Sequence, residues 1–196
     1  MNGPKSELFS YKPNTNIILE DSRQKTDKHT FKHKYFADCN IEIIRSKLIV
    51  GDYMLPVGPA SIDTKNGIME LASNLRQQHK RFRAECELAN KLGIQLYILV
   101  ENNEEVESLD DLYNWVEPKS SFFMRKSKNT RAVRISGRQL AKSANTMSDR
   151  YSVQFEFCSY MQAGCRIMEI LENFEKMRNS RKEIKQNAKS KAKTKN

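Results

Sequence analysis

The sequence reads Leu48-Ile49-Val50-Gly51-Asp52-Tyr53-Met54-Leu55 and, after a short loop, Ala60-Ser61-Ile62-Asp63-Thr64-Lys65. Both stretches are largely apolar and predict two neighbouring β-strands. Side chains alternate between the faces of a strand, so Asp63 and Lys65 share one face, which Asp52 can approach from the neighbouring strand. Two carboxylates and an ammonium group on one surface can hold a divalent cation and a water molecule. The alternative is a set of solvated charges near strand ends.

An upstream strand delivers a further acidic residue. The apolar run Ile17-Ile18-Leu19 predicts a buried strand, and Asp21 and Arg23 follow its carboxyl end. Ligands of open α/β sheets bind beyond the carboxyl ends of strands, so both residues lie where a functional site is expected. Between this strand and Asp52, residues 27–38 predict a helix capped by Asp27, and residues 41–50 predict a β-hairpin.

Histidine and cysteine patterns offer no better metal site. His29 and His33 are four residues apart on the predicted helix, which is a metal-ligand spacing, but no glutamate stands between them and lysines surround them. A solvated or phosphate-facing pair is therefore favoured. The four cysteines form no Cys-x-x-Cys pair, which argues against structural zinc and against a disulfide framework.

The remaining periodicity indicates an α/β fold. Helical spacing recurs around residues 68–75, 82–92, 109–115, 136–147 and 162–175, and strand-like runs lie at 94–101 and 153–158. Strands that alternate with helices predict an α/β/α sandwich around a mixed central sheet. The domain is expected to span residues 17–175, between an irregular arm (1–16) and a basic, disordered tail (176–196). Within it, residues 102–135 predict an acidic helix and then a basic loop.

Charge separates an acidic body from two basic segments. Residues 119–150 and 176–196 each carry a net charge of +8, whereas the rest of the chain carries −6. This pattern is expected when clustered carboxylates bind metal while separate basic surfaces attract a polyanion. Phe122 and Phe123 interleave with the basic residues, a pattern that suits single-stranded or distorted nucleic acid, although both rings can equally pack on the body. The predicted DNA contacts in this segment are Arg125, Lys126, Lys128 and Arg131.

Targeting signals are absent from the sequence pattern. No run approaches the roughly 20 apolar residues of a membrane span. The first residues lack the apolar core of a secretory signal. We therefore expect a cytoplasmic protein with no membrane partner and no small-molecule cofactor.

Together these residues resemble the nuclease domain of the XPF family, a branch of the restriction-endonuclease-like PD-(D/E)xK superfamily. The family's Asp-x-Arg matches Asp21 and Arg23, its Gly-Asp-Tyr matches residues 51–53, and its Glu-Arg-Lys is represented by residues 63–65. An acidic residue followed by leucine in the next helix matches Glu70, after a one-residue insertion. Arg81 lies in the arginine-containing helix that precedes an apolar strand. The resemblance covers about residues 17–175 and is weakest over 102–135.

Two departures from the family pattern matter. Asp63-Thr64-Lys65 replaces Glu-Arg-Lys, and the shorter reach of aspartate alters the geometry with which it can bind a metal. Nothing after residue 175 predicts the tandem helix-hairpin-helix module that family members usually carry. The resemblance therefore implies a stand-alone nuclease domain, of the small kind associated with bacteriophage genomes, in a bacterial or phage-infected cell.

The resemblance implies a Mg²⁺- or Mn²⁺-dependent endonuclease that hydrolyses DNA phosphodiester bonds in branched, flap or junction DNA. It implies that Lys65 orients or helps deprotonate the attacking water, that Glu70 assists, and that Arg23 and Arg81 contact phosphates. The catalytic residues would be Asp21, Asp52, Asp63 and Lys65, and the metal ligands would be Asp52, Asp63, Asp21 and the backbone carbonyl of Thr64.

Other functions stay open at this point. A nuclease-fold protein that binds DNA, or regulates a partner, without cutting would explain both departures from the family pattern. Among enzymes, a junction resolvase acting as a homodimer competes with a flap or nicking nuclease. An RNA-packaging role rests only on the basic tail.

Overall fold

The computed structural model describes residues 13–25, 29–128 and 133–193. Most of the predicted N-terminal arm, as well as Asp27 and Arg131, lies outside these residues. The six strands are β1 (Ile17–Asp21), β2 (Glu42–Ser46), β3 (Tyr53–Met54), β4 (Ala60–Asn66), β5 (Gln95–Glu101) and β6 (Gln154–Cys158). The α-helices of the described part are α1 (Thr30–Asp38), α2 (Ile68–Arg76), α3 (His79–Lys91), α4 (Leu109–Asn114), α5 (Lys119–Lys128), α6 (Gly137–Tyr151) and α7 (Ala163–Lys193), and a short 3-10 helix (Tyr160–Gln162) precedes α7.

The strands form one mixed sheet in the order β2-β1-β3-β4-β5-β6. Strand β3 runs antiparallel to both of its neighbours, and every other pairing is parallel. The parallel pairs are joined through helices, whereas the loop at 55–59 returns the chain directly from β3 to β4. The amino end of β3 therefore lies at the same edge of the sheet as the carboxyl ends of β1, β4 and β5.

Each face of the sheet is covered by helices, which confirms the predicted α/β/α sandwich. On one face α1 and α7 bury a cluster that contains Ile18, Phe36, Ile62, Leu99 and Ile167. On the other face α2, α3, α4 and α6 bury a cluster that contains Leu71, Phe82, Ile98, Leu112 and Leu140. Among the described residues, no helix combines the length and apolar character that crossing a bilayer requires.

The predicted hairpin at residues 41–50 is wrong. Strand β2 pairs in parallel with β1, and residues 48–50 lie in a loop in which Leu48 and Val50 are buried while Ile49 is exposed. The partner of β2 is a strand more than twenty residues earlier in the chain, so local turn patterns do not reveal it.

Two segments predicted to be irregular are helical. Residues 119–128, predicted as part of a basic loop, form α5, and the Phe122 N–H donates to the Pro118 carbonyl at its start. Helix α7 continues to Lys193 through most of the segment predicted to be a disordered tail. No glycine or proline follows Gly164 in this helix, and lysine, arginine, glutamate and methionine are good helix formers.

Candidate active site

Three aspartates form a row across neighbouring strands. The register of β1 against β3 places Asp21 beside Asp52, and the Asp21 N–H donates to the Asp52 carbonyl at 2.8 Å. The register of β3 against β4 then places Asp52 beside Asp63, and the Asp52 N–H donates to the Ile62 carbonyl at 2.6 Å. Residues that lie opposite each other in paired strands project to the same face of the sheet, and such strands are about 4.8 Å apart. All three carboxylates therefore project from one face of the sheet, close to one edge.

The backbone at Gly51 turns the chain so that Asp52 reaches this row. Its φ of +71° is a left-handed conformation, and a Cβ there would lie 2.9 Å from the Ile62 carbonyl oxygen and overlap the Ser61 hydroxyl. Only glycine fits such a position without strain. The Gly51 N–H also donates to the Glu85 carboxylate at 3.0 Å, which connects the loop to α3.

The row opens into a polar cleft of about 750 Å³. The structure brings together here every residue that the sequence predicted for the catalytic and metal site. The predicted residues that line the cleft are Asp21, Arg23, Asp52, Asp63, Thr64, Lys65, Glu70 and Arg81. The sequence interpretation missed six further polar residues on its wall, which are Gln24, Lys32, Asn66, Glu85, Glu101 and Tyr160.

Asp52 is held by hydrogen bonds from both sides. Its Oδ2 accepts from the Thr64 N–H at 2.8 Å and from the Thr64 hydroxyl at 2.6 Å, and its Oδ1 accepts from the Gln24 side-chain amide. Burial raises the pKa of Asp52, and the two Thr64 hydrogen bonds oppose that rise. The N–H and C=O of one strand residue point to the same side. The Thr64 carbonyl therefore also lies on the Asp52 side of β4.

Asp63 and Lys65 form a buried ion pair on the face of β4 that α2 and α3 cover. The Lys65 ammonium also lies 5.5 Å from the centroid of the Phe82 ring. Burial raises the pKa of Asp63 to about 8; Lys65 opposes this rise, whereas Asp52 and Glu85 add to it. Burial alone would lower the pKa of Lys65, but the neighbouring carboxylates, led by Asp63, outweigh it and raise that pKa. Lys65 therefore keeps its proton at neutral pH.

Arg23 hydrogen-bonds and ion-pairs with the Asp21 carboxylate. Its Oδ1 accepts from the Arg23 backbone N–H at 2.8 Å and from Nε at 2.9 Å, and its Oδ2 pairs with the guanidinium Nη2. Burial would raise the pKa of Asp21, but the hydrogen bonds and charge of Arg23 lower it overall. The Arg23 side chain is 60% exposed, so it remains accessible from the cleft.

Glu85 is the missed residue with the most direct link to the aspartate row. It lies on α3 four residues after Arg81, so both side chains share the helix face that lines the cleft. This spacing was visible in the sequence. It did not identify Glu85 as a cleft residue, because a charged residue on a charge-rich helix ordinarily faces solvent.

His29, which immediately precedes α1, and His33 within α1 have separate partners. His29 Nε2 lies 3.1 Å from the Gln24 side-chain oxygen, and His33 Nε2 lies 2.7 Å from Glu20 Oε1. His29 is buried, so the solvated pair that the sequence favoured is not observed.

Of the predicted DNA contacts after residue 119, Arg125, Lys126 and Lys128 do not line the cleft. Arg125 instead makes a two-point contact with buried Glu117, through distances of 2.9 Å from Nε and 2.8 Å from Nη2. Glu117 also accepts from the Ile135 N–H, so this pair fastens α5 to the body of the domain. Lys126 and Lys128 are exposed on α5.

The donor set of the cleft suits a hard divalent cation. Asp52, Asp63 and the Thr64 carbonyl offer oxygen atoms, the ligands that Mg²⁺ prefers. Within the described ranges, Asp63 Oδ2 is buried without a well-formed hydrogen bond, although the Lys65 ammonium lies against it. No three His, Cys, Asp or Glu side chains of those ranges converge on one point. Water and substrate oxygens would therefore complete the coordination.

Comparison with known proteins supports the fold. No protein-family model and no curated protein matches the sequence. Two solved structures of XPF from Aeropyrum pernix are similar, each with a TM-score of 0.54 and 13% identity. The first match covers 85% of this chain and 69% of that chain, and the second, a complex with DNA, covers 83% and 66%. The chain thus spans about two thirds of each neighbour and shares the α/β fold of XPF.

Proposed function

We propose that the protein is a Mg²⁺- or Mn²⁺-dependent endonuclease that hydrolyses DNA phosphodiester bonds, with branched, flap or junction DNA as its substrate. The observation that carries this proposal is the row of Asp21, Asp52 and Asp63 beside Lys65 in one cleft. The structural similarity to XPF, including a structure in complex with DNA, supports DNA as the partner.

The charge of the cleft argues for a metal ion. Counted at full ionisation, its side chains hold six carboxylates against four cations, a net charge of −2 that would repel a phosphate. One divalent cation cancels that charge. Asp52, Asp63 and the Thr64 carbonyl would hold it, with Asp21 at the end of the row. A bound ion supplies Lewis-acid polarisation of the phosphate and lowers the pKa of a coordinated water.

Lys65 acts as a cation rather than as a base. The carboxylates around it raise its pKa, so it is protonated at neutral pH and cannot accept a proton from water. An ammonium group at this place orients the attacking water by donating a hydrogen bond, and it offsets the charge that develops on the pentavalent phosphorus. Asp63 keeps the ammonium group in place, because its Oδ2 lies directly against Lys65 Nζ.

Arg23 and Arg81 position the phosphate backbone. Both line the cleft, and a guanidinium group binds phosphate oxygens through two parallel hydrogen bonds. Glu70 assists indirectly, because its carboxylate accepts the Asn66 N–H at 2.9 Å and so fixes the end of β4 next to Lys65.

A second candidate is a DNA-binding protein that does not cut. It is favoured by the internal partners of the key carboxylates: Gln24 and Thr64 occupy both oxygens of Asp52, and Lys65 is paired with Asp63. In such a protein these contacts would stabilise the fold, and loss of Asp52 would leave DNA binding unchanged.

The test is cleavage of end-labelled duplex, flap and four-way-junction DNA with Mg²⁺, Mn²⁺ or EDTA. Wild type is compared with Asp52→Asn and Lys65→Ala, and with Asp38→Asn as a control at an exposed carboxylate on α1. We expect metal-dependent cutting by wild type and the control, and loss of cutting in the other two. Metal-independent binding without cutting in all four proteins would establish the second candidate.

Oligomeric state separates the two enzyme models. A solution mass of two chains, with coordinated cuts on opposite strands of a junction, is expected of a homodimeric resolvase. A single-chain mass with one cut per substrate is expected of a flap or nicking nuclease.

A further inference from the structure

Helix α5 presents aromatic and basic side chains along one of its faces. Lys119, Phe122, Phe123 and Lys126 follow the spacing i, i+3, i+4 and i+7, so they form one stripe, which we call the α5 stripe. The two ring centroids lie 5.8 Å apart, and Phe123 is 61% exposed. An exposed large aromatic ring costs solvation free energy and marks a surface that a partner can cover.

The chain segment that carries the α5 stripe is rich in positive charge. Residues 119–138 contain seven Lys or Arg and no Asp or Glu. The Lys126 ammonium lies 5.8 Å and the Arg134 guanidinium 5.1 Å from the centroid of the Phe122 ring. A partner that covers this surface must therefore combine flat apolar groups with dense negative charge.

The attachment of α5 leaves the α5 stripe accessible. Arg125 projects from a different side of the helix and fastens it to Glu117 and to the Val133 carbonyl. Every side chain described on α5 is at least partly exposed. The segment also connects the carboxyl end of β5, where Glu101 lines the cleft, to α6. The α5 stripe therefore belongs to the connection that leaves the sheet at its aspartate-bearing edge.

We propose that the α5 stripe is a stacking platform for unpaired bases of single-stranded DNA, with Lys119 and Lys126 contacting the flanking phosphates. Bases in a duplex have both faces covered by their neighbours, whereas unpaired bases offer a face to an aromatic ring. This inference rests on the proposed function in one respect: a single-stranded arm would be the substrate feature that the nuclease selects. Base binding itself requires no cleavage.

The experiment is fluorescence anisotropy of a labelled single-stranded oligo-dT and of a labelled duplex, in EDTA so that no metal-dependent cutting occurs. Phe123→Ala is compared with the matched control Phe31→Ala, which removes a 53% exposed ring on α1. We expect Phe123→Ala to weaken oligo-dT binding about fivefold or more, as loss of one stacked base predicts. Duplex binding should change less than twofold, and Phe31→Ala should change neither.

A second variant makes stacking directly visible. Phe123→Trp adds an exposed indole to a chain whose single tryptophan, Trp115, is buried. We expect oligo-dT to quench the fluorescence of this variant well beyond its effect on wild type, with affinity retained. Phe123→Leu should bind as weakly as Phe123→Ala, because leucine is apolar but has no π-face.

Several outcomes would overturn the inference. Equal oligo-dT affinity for Phe123→Ala and Phe31→Ala, without quenching of Phe123→Trp, would exclude stacking. A two-chain solution mass that Phe123→Ala reduces to one chain, with oligo-dT binding unchanged, would show that the α5 stripe contacts a second copy. Tighter binding of poly-glutamate than of oligo-dT would indicate an acidic protein partner. Cleavage by wild type with any of these results leaves the nuclease proposal intact, and stacking without cleavage would refute that proposal alone.

Discussion

The two faces of the sheet differ sharply at the edge that carries the aspartate row. Glu20 and Asp21 are adjacent in β1 and therefore point to opposite faces. Glu20 is fully buried; its Oε1 lies 2.8 Å from the Tyr53 hydroxyl and 2.7 Å from His33 Nε2, and Arg45 lies 3.6 Å from Oε2. Asp21 lines the open cleft on the other face.

The comparison shows how one strand edge serves both stability and chemistry. On the closed face, Glu20 and Tyr53 are direct partners in the β1–β3 register, so their hydrogen bond fixes the alignment that also places Asp21 beside Asp52. On the open face, the carboxylates of the aspartate row lie close together and repel one another, which lowers the stability of the fold. A partner that binds in the cleft can relieve this repulsion. Glu20 is enclosed by groups that hydrogen-bond or ion-pair with it, which makes it structural, whereas an acid that faces a cleft is available for function.

The largest expected difference between the faces is in catalysis. Asp52→Asn should lower the cleavage rate about a thousandfold, because metal coordination supplies several kcal/mol of charge stabilisation and each 1.36 kcal/mol is a factor of ten. Glu20→Gln, on the closed face, should lower it less than tenfold once the protein is folded. Single-turnover cleavage at saturating enzyme measures both. Equal losses in the two variants would mean that the faces are not functionally distinct.

The loop that delivers Asp52 should show the largest effect on stability. Gly51→Ala combines a left-handed backbone with a steric overlap against β4, so we expect a loss of about 3 kcal/mol in unfolding free energy. Gly93→Ala is the matched control, since Gly93 has a φ of +68° but open space around its Cα. It should cost about 1 kcal/mol. Urea denaturation compares the two, and similar losses would show that the close approach of Gly51 to β4 is unimportant.

Local patterns in the sequence single out the members of the aspartate row, but their grouping into one site rested on the family resemblance. Strand alternation puts Asp63 and Lys65 on one face, and Asp21 follows an apolar run at a strand end. Apolar periodicity likewise identified the helices around the sheet. These features depend on residues a few positions apart, which a pattern can capture.

The parts that sequence reasoning missed depend on distant contacts. The partner of β2 is β1, the acceptor of the Gly51 N–H is Glu85 on α3, and the partner of Lys32 is Glu101 on β5. Arg125 illustrates the same limit, because a basic residue in a basic segment suggests DNA until Glu117 is found beneath it. Tertiary packing decides which charges are already neutralised.

The Tyr53 hydroxyl, on the closed face, should contribute to stability but not to catalysis. Tyr53→Phe removes the hydroxyl that donates to buried Glu20, and we expect it to lower the unfolding free energy by about 2 kcal/mol. Cleavage by the folded variant should stay within about threefold of wild type, since Glu20 keeps its contacts with His33 and Arg45. Tyr113→Phe, at an exposed tyrosine, serves as the control for denaturation. A loss of cleavage larger than the loss of folded protein would give Tyr53 a role in the chemistry.

The smallest predicted effect is a pH dependence that comes from the open face. Burial raises the pKa of Asp63 from its ordinary value of 3.8 to about 8, so the folded protein binds more protons than the unfolded chain between these values. The unfolding free energy of the metal-free protein should therefore fall as pH rises through this window, by about 1 kcal/mol between pH 7 and pH 8. Asp63→Asn should flatten this slope, whereas Asp38→Asn should leave it unchanged.

Added Mg²⁺ should reverse the trend in wild type. A cation binds the ionised carboxylate, so its stabilisation grows as pH rises and protons are displaced from Asp63. Thermal denaturation at several pH values, with Mg²⁺ and with EDTA, measures this linkage without any assay of cleavage. If the pH dependence of stability in EDTA persists in Asp63→Asn, it does not come from Asp63. Asp63 would then be ionised in the free protein, because the ion pair with Lys65 outweighs the effect of burial on its pKa. The same Mg²⁺ effect in Asp63→Asn and wild type would place the metal away from the aspartate row.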